Sequence, residues 1–390
     1  MGWEFVKLGD LVHRKIGYGI VQPGASVDVG VPVIKVNNII SGLSNIELLE
    51  KTTTDIDARY ARTRLVGGEL VISLVGSVGK TAIVPKTFAG CNLVRATGLI
   101  DIKDEILAKW VKYYIDSPQG QAYINSNVNT TVQVTLNIKS LSDMPIPLPD
   151  HAIREKIVAI LSSLDDKIEL NRRINANLEQ QAQAVYKSWF VDNKKDDWEE
   201  GVASDYYNIT IGKTPPRKET KWFSTDKKDH VWISISDMGK HGMYLGQSSE
   251  YLTQSAIEKF SIVIVPDKTV LLSFKLTIGR VVISDGNVTT NEAIAHFNTN
   301  DQNLLEYTYL SLKNYEFAAL GSTSSIAIAV NSKTIKSMRW IMPNRDLINQ
   351  FHEKVGPLFN MIRQNEKEIN YLSTLRDTLL PKLMSGEITV

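Results

Sequence analysis

ISLVGSVGKTAIV, Ile72 to Val84, places a glycine turn ending in Gly79-Lys80-Thr81 between two apolar runs. Its tail resembles a phosphate-binding loop, G-x-x-x-x-G-K-[ST], but that loop needs a glycine where this chain has Leu74. The competing reading is strand, glycine turn, strand. A second copy decides between them. LSFKLTIGRVVIS, Leu272 to Ser284, repeats the pattern, with Ser273 for Ser73 and Gly279 for Gly79. Lys80 becomes Arg280, and no Ser or Thr follows it. A nucleotide loop would not survive that change, whereas a β-hairpin with a basic residue after its turn does. The stretch is a hairpin that occurs twice.

The duplication extends along the chain. Trp3-Glu4 matches Trp198-Glu199, Ile16-Gly17 matches Ile211-Gly212, and IKVNNI from Ile34 matches ISISDM from Ile233. After the hairpin, TLNIKSL from Thr135 matches AVNSKTI from Ala329, and IPLP from Ile146 matches WIMP from Trp340. This period is far too long for a solenoid and marks a tandem domain duplication. The first part of each copy is rich in short β-type runs, such as LVISL from Leu70 and VLLSF from Val270. A helical pattern follows near Ile106 and again near Leu304. Each head therefore reads as an α+β domain.

The second part of each copy is one long helix. In the first, Ile157, Leu161, Leu164, Ile168, Asn171, Asn175, Leu178, Ala182, Val185 and Trp189 recur in steps of four and three. The counterpart seam is Phe351, Val355, Leu358, Ile362, Asn365, Ile369, Leu372, Arg376, Leu379 and Leu383. Such heptads are a coiled-coil signature, and at ~1.5 Å per residue the first helix is about 50 Å long. Asn171 and Asn365 occupy equivalent positions, where a buried asparagine would fix register. Pro357 and Pro381 are expected to end or kink the second helix. The simplest arrangement is an antiparallel pair with pseudo-two-fold symmetry between the heads. The expected boundaries are 1–149 for the first head, 150–195 for the central helix, 196–343 for the second head and 344–390 for the C-terminal helix.

The bulk properties narrow the function. The 390 residues are 43% hydrophobic and 22% charged, which suits a globular multidomain chain. No apolar run approaches the ~18 residues of a membrane span, and the N-terminus has no signal-peptide core. One cysteine, Cys91, excludes an internal disulfide and a multi-cysteine zinc site, and a reducing cytoplasm is expected. The six histidines, at 13, 151, 230, 241, 296 and 352, lack metal-ligand spacing and read as structural or surface residues. A net charge of +1 means that any nucleic-acid binding rests on local patches, or that a partner supplies part of the charge. Two diverged heads on a rigid spacer suit two different half-sites on one duplex, whose helical turn is ~34 Å.

The chain resembles the specificity subunit of type I restriction–modification systems along its whole length. The local phrases that carry the resemblance are PIPLP from Pro145 before the long helix, LNRRINANL from Leu170, and LRDTLLPKLMSGE from Leu375. The resemblance implies that the heads are target-recognition domains and the chain is non-catalytic. The helices would dock two adenine methyltransferase subunits, with or without restriction subunits. S-adenosylmethionine, and ATP with magnesium where a restriction subunit joins, would be used by those partners and not by this chain. The absence of [DNS]-P-P-[YF] agrees, the nearest stretch being TPPR from Thr214. Two alternatives stay open: a standalone bipartite DNA-binding regulator, and a scaffold whose heads bind protein.

Base edges are read by Arg, Lys, Asn and Gln with Ser and Thr assisting, and phosphates are held by cations. Four loop regions per head offer these types. They are Lys15, Tyr18 and Gln22 with Lys213, Arg217 and Lys218; Lys35, Asn37 and Asn38 with Ser236 and Asp237; Ser77 and Lys80 with Lys275, Thr277 and Arg280; and Thr130 and Gln133 with Ser324. Apolar anchors for a protein partner are expected near Tyr186 and Trp189 and from Leu379 to Met384.

Overall fold

A computed structural model describes residues 3–43, 45–129, 133–240, 242–317 and 330–390. The chain divides into two units, Met1–Lys167 with Leu372–Val390, and Ile168–Tyr371. Each is mixed α and β, and each contains one head together with a part of both long helices. No helix of the described residues is long and apolar enough to cross a membrane.

In the first unit, a four-stranded antiparallel sheet runs in the order Arg14–Tyr18, Thr97–Asp101, Leu70–Ser73, Thr81–Ile83. Leu70–Ser73 leads into the opening stretch, and it is buried throughout because elements cover both faces. Val31–Ile34 pairs antiparallel with Lys51–Thr52 and parallel with Asn92–Leu93. The helix expected near Ile106 runs Glu105–Asp116, capped by Asp104. Glu4–Lys7 pairs with Pro145–Leu148, so the ends of the head close on each other.

The second unit repeats this plan. Its central sheet is Asn208–Ile211, Ile294–Asn298, Val270–Ser273, Val281–Ser284, Tyr244–Leu245. Glu4 faces Leu148, and Glu199 faces Met342, as the sequence match of the two copies requires. Asn137 and Asn331 cap equivalent short helices by accepting from Ser140 N at 2.7 Å and Thr334 N at 3.0 Å. One match is corrected. Tyr18 faces Gly98 and Ile211 faces Ala295, so Gly212 corresponds to Gly19, not to Gly17. A one-residue bulge between Arg14 and Gly17 accounts for one of the two residues of the slip. The glycine is needed for contact: a Cβ on Gly19 would lie 2.0 Å from Leu93 O, and one on Gly212 2.1 Å from Thr290 Oγ1.

The long helices are His151–Tyr186, continuing as a π-helical turn Lys187–Asp192, and Arg345–Met384. They run antiparallel within each unit. In the first, Asp165 pairs with Arg376 at 2.9 Å, and Ile157, Leu161, Leu380 and Leu383 share one core. In the second, Asn171, 1% exposed, donates to Glu368 at 2.8 Å, and Asn365 donates to Asn175 at 2.8 Å. These amides form a polar layer that only one register satisfies. Ile168, Leu178, Val355 and Ile362 are buried, while Leu164, Leu358 and Leu372 are half-buried. Near the heads the buried stripe shifts by one residue, to Phe190, Phe359 and Leu380, because the face of a 3.6-residue helix drifts against a heptad.

The second helix does not end at Pro357 or Pro381. Each proline removes one N–H, but Phe351, Val355 and Leu383 beyond them are at most 2% exposed, and their burial, worth about 1.5–3 kcal/mol each, keeps the backbone helical. Of the expected partner anchors, Trp189 and Leu379 are half-buried, and the others named here are corrected. Tyr186, Leu380, Leu383 and Met384 are buried in the cores of their own units, so they present no free apolar surface.

Candidate nucleic-acid interface

The duplicated hairpin is wired alike in both copies. The fully buried Ser73 hydroxyl accepts from Lys80 N at 2.8 Å and donates to Ser77 O, while Gly79 N donates to Ser73 O at 2.9 Å. Ser273 accepts from Arg280 N at 3.0 Å and donates to Thr277 O at 2.6 Å, and Gly279 N donates to Ser273 O at 3.0 Å. Gly79 and Gly279 sit at φ of 81° and 89°, which a residue with a Cβ adopts only with strain. The serine clasps the turn, so Ser73 and Gly79 are retained for the loop's shape.

Three chain segments meet around one short loop, Val94 to Ala96. Val94 N donates to Ile34 O at 3.2 Å, Arg95 N to Ile20 O at 2.7 Å, and Leu74 N to Ala96 O at 2.7 Å. Gly76 N donates to Val134 O at 2.9 Å, which brings Gln133 beside the hairpin. The first three candidate regions of the first head thus adjoin one hub, and the fourth reaches it through the hairpin. The second head repeats two of these bonds at Asn291 to Ala293, Asn291 N to Ile233 O at 3.0 Å and Phe274 N to Ala293 O at 2.9 Å. Its hub residue, Glu292, accepts from the Thr214 hydroxyl. Burial opposes ionisation of Glu292, but the Thr214 bond and the charges of Lys275 and Arg217 outweigh it and hold the carboxyl below its ordinary range.

The candidate side chains fall into two sets. Lys15, Tyr18, Gln22, Asn37, Ser77, Gln133, Lys218, Ser236 and Lys275 are exposed. Most of the others have partners within the protein, some of them at the surface. Asn38 and Asp237 accept from the backbone N–H of Lys35 at 2.7 Å and Ser234 at 2.9 Å, capping equivalent helices. Asp237 is 4% exposed and also accepts from the hydroxyls of Ser234 and Ser248, so it is corrected from a base reader to a cap. Lys35 pairs with Glu50 at 2.6 Å. Lys213 donates to Phe260 O and Ser261 O at 3.0 and 3.1 Å. Arg217 stacks 4.5 Å from both Phe223 and Trp232 while paired with Glu250. Arg280 donates to Ile235 O at 2.6 Å, which gives its charge a structural use in the second copy. Lys80 is exposed and lines a groove with Lys112, Asp116, Asp165 and Arg376. Thr130, Ser324 and His241 lie outside the described residues.

Two groups, one buried and one half-buried, carry no spacing signal in the sequence. His296, fully buried between the hydroxyls of Thr210 and Thr290, has its pKa lowered to about 4 by burial, so it stays neutral and structural. Glu366 reaches from the long helix to accept from Met243 N at 2.7 Å and Tyr244 N at 2.8 Å.

A family model described as the type I restriction modification DNA specificity domain matches residues 1–180 and again 195–371. The specificity subunit of the type I restriction enzyme HindI from Haemophilus influenzae is 26% identical over 339 residues, covering 67% of this chain and 72% of its own length. The MjaIX specificity subunit of Methanocaldococcus jannaschii is 25% identical over 316 residues, covering 74% of this chain and 71% of its own length. A crystal structure of a type I restriction-modification S subunit from M. genitalium shares the fold, with a TM-score of 0.56 at 14% identity over 98% of this chain and 96% of that one.

Proposed function

This chain belongs to the type I restriction–modification DNA specificity family, and from that membership we propose that it reads a bipartite, asymmetric DNA target and directs adenine-N6 methylation by partner subunits. Each head addresses one half-site. The methyl transfer belongs to two methyltransferase subunits using S-adenosylmethionine, and cleavage, where a restriction subunit joins, to that subunit with ATP and magnesium. This chain supplies recognition and spacing without performing chemistry itself.

The observation that carries the reading is the repeated hub. Two heads with the same backbone wiring present different exposed side chains on equivalent loops, as two unlike half-sites require. Backbone wiring fixes where side chains stand, and the side chains that differ carry the base preference. The test is a genome-wide map of adenine methylation, by single-molecule sequencing, with the gene intact and deleted. The expected result is loss of one split, non-palindromic motif on deletion. Unchanged methylation would refute the reading. Sequence-specific binding by the isolated chain would then favour a standalone regulator, and absence of DNA binding even beside a methyltransferase would favour a protein scaffold.

A further inference from the structure

We propose that Arg95 and Glu292 are base-reading residues, and that their opposite charges at one structural position help make the two half-sites unlike. The inference rests on the proposed DNA-reading function and assigns it a position in each head. Asn92 pairs with Val33 as Thr289 pairs with Trp232, and Thr97 faces Ser73 as Ile294 faces Ser273. Ala96 O and Ala293 O accept from Leu74 N and Phe274 N. Counting between these fixed points, Arg95 and Glu292 occupy the same place. Both are exposed at the middle of the hub loop, which the first three candidate regions adjoin in each head.

The chemistry at the two positions differs in a way suited to bases. Arg95 makes no side-chain hydrogen bond or ion pair among the described residues, which leaves its planar fork available for the N7 and O6 acceptors of guanine. Glu292 is an acceptor, suited to the N4 amine of cytosine. A bare carboxylate would be repelled by the DNA backbone. Lys275 and Arg217 stand close enough to favour the ionised form of Glu292, and they offset that repulsion locally. The Thr214 hydroxyl holds one carboxylate oxygen, which orients the other. The backbone bonds of the hub fix the loop without using either side chain, so the tip can change its reading while the fold stays.

The experiment replaces the chromosomal gene with full-length variants and maps adenine methylation by single-molecule sequencing. The wild type and the deletion come first. If no split motif depends on the gene, the functional reading itself falls, whatever the variants do. With the motif in hand, Arg95→Ala is expected to relax one G·C position in one half-site, and Glu292→Gln one C·G position in the other. Each should lose about ten- to hundredfold discrimination at that position. The unaltered half-site in each map shows that the chain still folds and assembles. Unchanged motifs in both variants, or changes in the same half-site, would overturn the proposal. If Arg95→Ala abolishes methylation altogether, Arg95→Lys decides. Methylation restored with that position relaxed supports a bidentate reader. An unaltered motif, or continued loss, sinks it.

Discussion

Substitution of Ser73 by alanine tests the hairpin clasp directly. The hydroxyl is fully buried, accepts from Lys80 N at 2.8 Å and donates to Ser77 O. Alanine removes both bonds at little change in volume. A buried polar group left without a partner costs about 1–3 kcal/mol. Ser77 is exposed, so its carbonyl recovers a bond to water, and the loss rests mainly on the Lys80 amide. The expected cost of about 1–3 kcal/mol corresponds to roughly a five- to hundredfold shift in the opening equilibrium of the turn. A chain of two units need not unfold in one step, so the measurement is native-state hydrogen exchange resolved to single amides. Ser73→Ala should accelerate exchange at Lys80 by that factor and leave Arg280 unchanged, and Ser273→Ala should do the reverse. Exchange at Lys80 within threefold of the wild type would show that the hydroxyl does not hold the turn.

Gly19→Ala and Gly212→Ala should each destabilise their unit by about 1–3 kcal/mol through overlap with the neighbouring strand. Gly17→Ala, whose nearest contact would be 3.8 Å away, should be tolerated, and equal denaturation midpoints for all three would restore the sequence match of Gly17 with Gly212. Burial, with the charges of Glu179 and Asp285 adding to it, outweighs two backbone bonds and raises the Glu366 pKa from 4.5 to about 7. The folded protein therefore binds more protons than the unfolded chain between those values, and stability falls as pH rises through that window, by roughly 3 kcal/mol in all. Glu366→Gln should flatten that slope in urea titrations from pH 4 to 8, and an unchanged slope would remove Glu366 as its source. Leu276, 99% exposed at φ 61°, stands where the first head has Gly76 at φ 77°. Leu276→Gly should leave stability unchanged or raise it by up to about 1 kcal/mol, while weakening DNA binding; unaltered affinity in a mobility-shift titration would take the loop tip out of the interface. Lys80→Ala should weaken binding to all sequences alike and make the salt dependence shallower by about one. An identical salt slope would exclude a phosphate contact.

The duplication, the two long helices and the hairpin were legible in the sequence because each rests on local spacing. Steps of four and three mark a helix face wherever they occur, and a serine and a glycine repeated at fixed separation within the turn mark one conformation formed twice. The prolines of the second helix misled because propensity is a local cost, which burial of Phe351, Val355 and Leu383 overrides. Gly17 was matched in place of Gly19 in part because a one-residue bulge changes register without leaving a mark on the apolar pattern. Asn38 and Asp237 are polar loop residues in the sequence, and only the backbone amides they meet make them caps. The hub is the clearest case of what tertiary structure alone decided. The loop Val94 to Ala96 lies beside Ile20, Ile34 and Leu74 through hydrogen bonds between segments far apart in the chain, and no periodicity records such a meeting. Sequence determines elements through neighbours a few residues away; a recognition surface is assembled from distant loops, and its members are chosen by sheet register and packing.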